Sequence, residues 1–363
     1  MKNVTASTMF FLVVFAGFCA LARPASAADR NIFGMQLFPV ISYAPETRGA
    51  LGIYGIGFQR LICDTPDCRP SSVKFMLMHT QNSQTVIQLN PEFITSNKEY
   101  IFSTSLGYVN FPTKYFGIGN NTLQSAEENY TEKTGNLQLS VQKQVTSTGR
   151  VGIRYNFWNM NLTDIGQNGS LATKLVPGSD GGKVNCAGLT FEYDTRDNVL
   201  SASRGAYHDI FVGGVDKTVG SDFSYVKYEV NLRKYIPVFQ NHVLALRAKL
   251  DFNNGTLPFQ LMPGVGGAYF LRGYYEGRFR DNNFIGCQAE YRFPVHKLLN
   301  LVVFGEAGEV AGRIEDFRAD GVKPAAGIGT RFFLDKKEKV VVRTDYGIGV
   351  DSAGLYINIH EAF

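Results

Sequence analysis

The stretch VKYEVNLRKYIPV, Val226 to Val238, is the one that decides the fold. Val226, Tyr228, Val230, Leu232, Ile236 and Val238 share one parity, while Lys227, Glu229, Asn231 and Arg233 share the other. Successive side chains of a strand point to opposite faces, so this segment is a strand with one greasy face and one charged face. The pattern then repeats in both directions. Leu244, Leu246, Ala248, Leu250 and Phe252 oppose Arg247, Lys249, Asp251 and Asn253. Ile285, Cys287, Ala289, Tyr291, Phe293 and Val295 oppose Gln288, Glu290 and Arg292. Val342, Thr344, Tyr346, Ile348 and Val350 oppose Arg343 and Asp345, and Ala187, Leu189, Phe191 and Tyr193 oppose Thr190, Glu192, Asp194 and Arg196. The charges belong to one side of one sheet.

Alternation alone fits a soluble sandwich as well as a membrane barrel, and three further features choose the barrel. The chain opens with Lys2, an uncharged apolar run from Met9 to Ala22 and the small-residue stretch Ala25-Ser26-Ala27, the layout of a cleavable secretory signal. A membrane anchor is the alternative, but the run is shorter than the roughly 18 to 20 residues a spanning helix needs. The strands are about nine to thirteen residues long, beyond the five or six usual in soluble sheets. The last segment, Leu355-Tyr356-Ile357-Asn358-Ile359, alternates toward a terminal aromatic, Phe363. A strand ending in this way is what an outer-membrane barrel presents to its insertion machinery. Closure is required too, because an open edge in lipid would leave backbone groups unpaired.

The expected fold is therefore all-β: a transmembrane antiparallel β-barrel of about sixteen strands. Residues 1–27 are read as signal, 28–34 as a short periplasmic lead-in and 35–363 as the barrel, with the last strand over 354–363. Short periplasmic turns should alternate with longer external loops, the longest between strands 11 and 12. Composition agrees, with 44% hydrophobic and 13% aromatic residues and a mean hydropathy of -0.09, since barrel strands hide their greasiness by alternation. The net charge of +4 forms no basic block, so no nucleic-acid partner is expected.

Little in the sequence speaks for catalysis. The five histidines are scattered without metal-ligand spacing, and neither a G-x-S-x-G elbow nor a phosphate-binding glycine loop occurs. No metal, cofactor or enzymatic activity is expected, although a barrel lipase with Ser and His on adjacent strands stays open as a third reading. Cys63 and Cys68 read as a small disulfide-closed loop in an oxidising compartment. Cys186 and Cys287 fall on lumen and lipid parities and should not pair.

One segment fits neither strand nor helix: FLRGYYEGRFRDNN, Phe270 to Asn283. Its Leu271-Arg272-Gly273-Tyr274 resembles the loop signature of the BamA/TamA surface-antigen superfamily, in which the loop after the eleventh strand folds back into the lumen. Phe304-Gly305-Glu306-Ala307-Gly308 resembles that family's F-x-D/E-x-G on strand 13, and Gly329-Thr330-Arg331-Phe332 its G-x-R-F on strand 14. Tyr193–Asn198 is similar to its Y-D-T-R-D-N turn, Phe116-Gly117-Ile118-Gly119-Asn120 to a further loop motif, and Glu361-Ala362-Phe363 to its chain end.

Parity places Glu306 in the lumen, beside Arg331 of the neighbouring strand on this reading, where Arg272 would meet a carboxylate in a partly dehydrated interior. Gly273 would allow close approach and Tyr274 would pack on the wall. The segment is thus expected to be an internal latch, and an ordinary solvated loop is the alternative. The resemblance implies a protein of the Gram-negative outer membrane, embedded in its lipid bilayer, that inserts or translocates a periplasmic client through a seam between first and last strands. Only a short lead-in precedes the first strand, so the family's periplasmic POTRA modules are not expected here, and a separate adaptor would have to supply their role. A passive pore is the competing function.

Overall fold

A computed structural model describes residues 34–59, 71–95, 99–336 and 339–363. The signal region, most of the lead-in, and Cys63 and Cys68 lie outside the described residues. The described chain closes into one antiparallel barrel of sixteen strands. They are β1 Gly34–Ala44, β2 Arg48–Gln59, β3 Ser71–Thr80, β4 Thr85–Ile94, β5 Tyr100–Tyr115, β6 Glu128–Gln144, β7 Gly149–Thr163 and β8 Gly182–Asp194. The second half is β9 Gly205–Val215, β10 Ser224–Phe239, β11 His242–Thr256, β12 Asn283–His296, β13 Leu299–Ala311, β14 Lys323–Asp335, β15 Val340–Gly349 and β16 Ser352–Ile359. Each strand pairs with its sequence neighbours, and β1 returns to β16. Among the described residues no helix is long and apolar enough to cross a membrane.

The parities divide as the pattern requires. Outward Leu189 is 69% exposed, whereas inward Arg331 on the same wall system is 0% exposed. With lipid outside, that outer band needs no further cover, and closure leaves no unpaired edge. Cys186 is buried and Cys287 exposed, both as free thiols.

Between β5 and the β13–β14 connection, most long loops alternate with short turns: 116–127, 164–181 and 257–282 lie at one end, and 145–148, 240–241 and 297–298 at the other. The alternation fails at its margins. The β1–β2 and β3–β4 connections, 45–47 and 81–84, sit on the long-loop side yet are tight, and the β8–β9 turn at 195–204 is long for the short-turn side. That turn has a packing reason, because Ala202 folds under the barrel against Tyr235, Val243 and Phe363.

The last strand differs from expectation. It stops at Ile359 instead of running to Phe363. His360 adopts φ 73°, in the left-handed region, which turns the chain off the ladder. Glu361, Ala362 and Phe363 then lie buried inside the barrel mouth. The closing pair is correspondingly thin. β1 and β16 share one register pair, Tyr43↔Ile357, while β1 and β2 pair continuously from Gly34↔Phe58 to Ala44↔Arg48.

Candidate functional site: an arginine loop seated in the lumen

The β11–β12 connection holds a short two-stranded hairpin, Gly264–Val265 against Phe279–Arg280, and enters the lumen between its arms. Val265, Phe270, Leu271, Tyr274 and Phe279 pack on Phe284, Val310 and Ala325 of the wall. Burying about five such side chains, each contributing roughly 1.5–3 kcal/mol, favours the seated loop over one in water.

At its tip, Arg272 is fully buried among three carboxylates. Its backbone N–H and Nε donate to the two oxygens of Glu306, both at 2.7 Å. Nη1 donates to Asp345 Oδ2 at 2.6 Å. Nη2 lies within ion-pair distance of Glu290 (2.7 Å) and Glu306 (2.5 Å), without hydrogen-bond alignment to either. The guanidinium also stacks over the Phe304 ring, 3.6 Å from its centroid. A planar cation with five donors suits this site in a way that a lysine cannot.

The acids are themselves shared. Asp345 accepts from Arg331 Nη1 (2.6 Å) and from Arg343 Nη1 (3.0 Å), and Glu290 accepts from Arg292 Nε (2.9 Å). Arg331 Nε donates to Glu361 of the inturned tail at 2.5 Å. Four arginines (Arg272, Arg292, Arg331, Arg343) therefore balance four acids (Glu290, Glu306, Asp345, Glu361) in one connected network. Such a network is tolerable out of water only because each charge has its counter-charge.

The wall is shaped for the loop by missing side chains. Gly273, at φ 115°, approaches β15 so closely that a Cβ there would lie 2.5 Å from the Gly349 nitrogen. Its N–H donates to the Tyr356 hydroxyl at 2.9 Å. A Cβ on Gly347 would lie 2.5 Å from the Arg272 carbonyl carbon. The Tyr274 hydroxyl donates to Pro324 O and accepts from the Val350 N–H. The loop thus rests on β14, β15 and β16, the strands that lead to the seam. Gly347→Val tests the seat: valine favours strands, yet here it should cost about 1–3 kcal/mol by overpacking and raise protease cleavage within 257–282.

The sequence-derived site residues come together unevenly. Arg272, Gly273, Tyr274 and Glu306 meet as described, and Gly308 lies beneath Leu271, whose Cδ1 would be 2.8 Å from an added Cβ. Arg331 does not neighbour Glu306. The β13–β14 register sets Arg331 opposite Asn300 and Glu306 opposite Ala325, so Arg331 serves Asp345 and Glu361 instead. Phe332 points outward, 45% exposed, and takes no part in the site. Asp345, Glu290 and Arg343 were visible only as lumen-parity charges, and Glu361 only as part of the family-like chain end, with no partner indicated. The two other family-like motifs also make lumen or rim contacts. Gly119 N–H donates to Arg280 O at 2.7 Å, and Ser201, following the Tyr193–Asn198 turn, donates to Glu361 at 3.0 Å.

Glu46, in the β1–β2 turn, adds a titrating element. It is buried, with Oε2 lacking a partner. Burial first, and the Glu276 carboxylate second, push its carboxyl up to about 8. Between the ordinary value of 4.5 and about 8, the folded barrel keeps a proton that the unfolded chain has released, so stability falls as pH rises through that window. The unfolding midpoint in lipid should therefore be lower at pH 9 than at pH 6, and Glu46→Gln should flatten that difference.

Comparison with known proteins fits this geometry. No curated protein matches the sequence. The fold is similar to BamA from Haemophilus ducreyi lacking POTRA domains 1-3, with TM-score 0.64 and 13% identity, covering 90% of this chain and 70% of that one. It is similar also to CdiB from Escherichia coli (TM-score 0.60, 10% identity, 93% and 63% covered) and CdiB from Acinetobacter baumannii (TM-score 0.55, 11% identity, 90% and 60% covered). The chain thus spans less than two thirds of either CdiB. The sequence profile of the Omp85 superfamily domain matches residues 81–353, and the chain belongs to that superfamily.

Proposed function

We propose that the barrel works in assembly at, or translocation across, the outer membrane, admitting a protein or lipid client at the β1–β16 seam while the Arg272 loop keeps the lumen closed. The observation that carries this reading is the seam itself: a single register pair, Tyr43↔Ile357, in a barrel whose other neighbours form long ladders such as Tyr100↔Lys143 to Tyr115↔Glu128. Fewer ladder hydrogen bonds make this the least costly place to part the wall, and Pro39 within β1 removes one further donor. The inturned tail shortens β16 and so holds the seam thin.

A disulfide tests the reading. Directly opposed residues lie within bridging distance, so Tyr43→Cys/Ile357→Cys should oxidise to a locked seam. Locked protein in vesicles should fail to speed insertion of a urea-unfolded eight-stranded barrel, and reduction should restore it. A Leu106→Cys/Leu137→Cys lock between β5 and β6 should be harmless. Full activity with the seam locked would overturn the proposal, and unaltered conductance without any insertion activity would favour the passive pore.

A further inference from the structure

The outer wall carries a cleft that the latch and the seam leave unexplained. It has a volume of about 510 Å³ and crosses β9 to β13. Its floor is made of small outward residues, Ala248, Cys287, Ala289, Gly305 and Ala307, brought side by side by the β11–β12 and β12–β13 registers. Larger outward neighbours bound it: Leu250 and Ile285 on one side, Tyr291 and Val303 on the other. Five strands spaced about 4.8 Å apart give a trough about 19 Å long. That is a shape for a hydrocarbon chain.

Two basic groups stand at its β9–β10 end. Lys234 occupies the outward parity of β10, between Leu232 and Ile236, both 37% exposed hydrophobics. No residue among those described pairs with Lys234. His208 faces the same cleft, its ring stacked on Tyr193 at 5.6 Å and 11°, with Nδ1 lacking a partner. Both lie toward the end that carries the short turns 240–241 and 297–298, which is the periplasmic end of such barrels. Lys234 stands five residues before the end of β10, roughly 12 Å up a tilted strand, within reach of the headgroup layer for a snorkelling side chain. A cation on a lipid-facing strand is costly unless it meets an anion. No carboxylate is offered on this face of β10 or β11, where the outward residues beside Lys234 are Leu232, Ile236 and Leu246.

The geometry points to a phospholipid site in the periplasmic leaflet: the phosphate of one anionic phospholipid beside Lys234 and His208, and one acyl chain in the trough over Ala289 and Cys287. The site rests on the barrel's place in the membrane and not on its assembly role. It gives the β9–β13 wall, away from the thin seam, a bound amphiphile that fills an otherwise unpacked dent.

The test is native mass spectrometry of barrel folded in phosphatidylcholine vesicles containing phosphatidylglycerol and extracted in mild detergent. Wild type should retain one phosphatidylglycerol. Lys234→Ala and His208→Ala should each weaken retention about fivefold. Ala289→Phe, which fills the trough and leaves Lys234 and His208 in place, should abolish it. Each variant's fold is checked by heat-modifiable gel mobility, and if Ala289→Phe does not fold, Lys234→Ala decides alone. Equal retention by wild type and Lys234→Ala would overturn the site. So would a Cys287–Cys287 disulfide dimer on oxidation in the vesicles, which would make the cleft a seat for a second copy. Retention should persist in the seam-locked protein, so failure of this site and failure of the seam reading are separable.

Discussion

Replacing Arg272 with alanine should lower the unfolding free energy of the barrel by about 3–5 kcal/mol and release the loop from the lumen. The size follows from what is left behind. Glu306 and Glu290 are buried and would share no cation at the loop tip, and Asp345 would lose one of its three. Burial of Glu306 without a cation, and of Glu290 and Asp345 with one fewer, sets the magnitude as much as the lost attraction. Arg272→Lys should fall between, because an ammonium keeps the charge but cannot serve Glu306, Asp345 and Glu290 from one plane. A simple exchange of charge with Glu306 should not rescue the site, since a glutamate at 272 would still face Glu290 and Asp345. Urea midpoints in detergent micelles, with protease cleavage inside 257–282 as the loop readout, separate these outcomes.

The second large effect is expected from Glu361→Ala, at about 3 kcal/mol. Glu361 is the acid that Arg331 Nε meets at 2.5 Å, and it accepts from Ser201 at 3.0 Å and lies 3.6 Å from Arg292. Its loss would leave Arg331, fully buried, on Asp345 and a distant Glu290 oxygen at 3.5 Å. The tail would then be held by Ala362 and Phe363, packed with Tyr235, Val243 and Ala245, and by the Arg292 bond to the Phe363 carbonyl. Freed from the mouth, residues beyond Ile359 can rejoin the ladder with β1. Amide exchange at the seam should therefore slow in this variant even as the barrel loses stability, an opposition that a merely structural contact would not produce.

The fold was legible because a membrane wall imposes one rule on every strand. Lipid outside and water or a charged loop inside leave period-two alternation across Val226–Val238 and its neighbours, and closure does the rest. Arg272 and Glu306 were legible as a pair through their motifs. The pairings of the other six members of the network were not, because the partners of a re-entrant loop depend on where its tip lands, and parity fixes only the face. Arg331 was assigned to Glu306 on strand adjacency, but the β13–β14 stagger carries it to the other end of the site. The tail was missed for a local reason: Asn358-Ile359-His360 reads as continuing strand, and nothing in a histidine announces φ 73°. Lys234 breaks an otherwise greasy parity of β10.

Single-channel conductance of wild type and Arg272→Ala in planar bilayers tests the central claim most directly. A sixteen-strand barrel is wide enough for an aqueous channel unless something fills it. The latch predicts small or absent steps for wild type and large, long-lived openings for Arg272→Ala. Large steady openings in wild type, unchanged by the substitution, would contradict it.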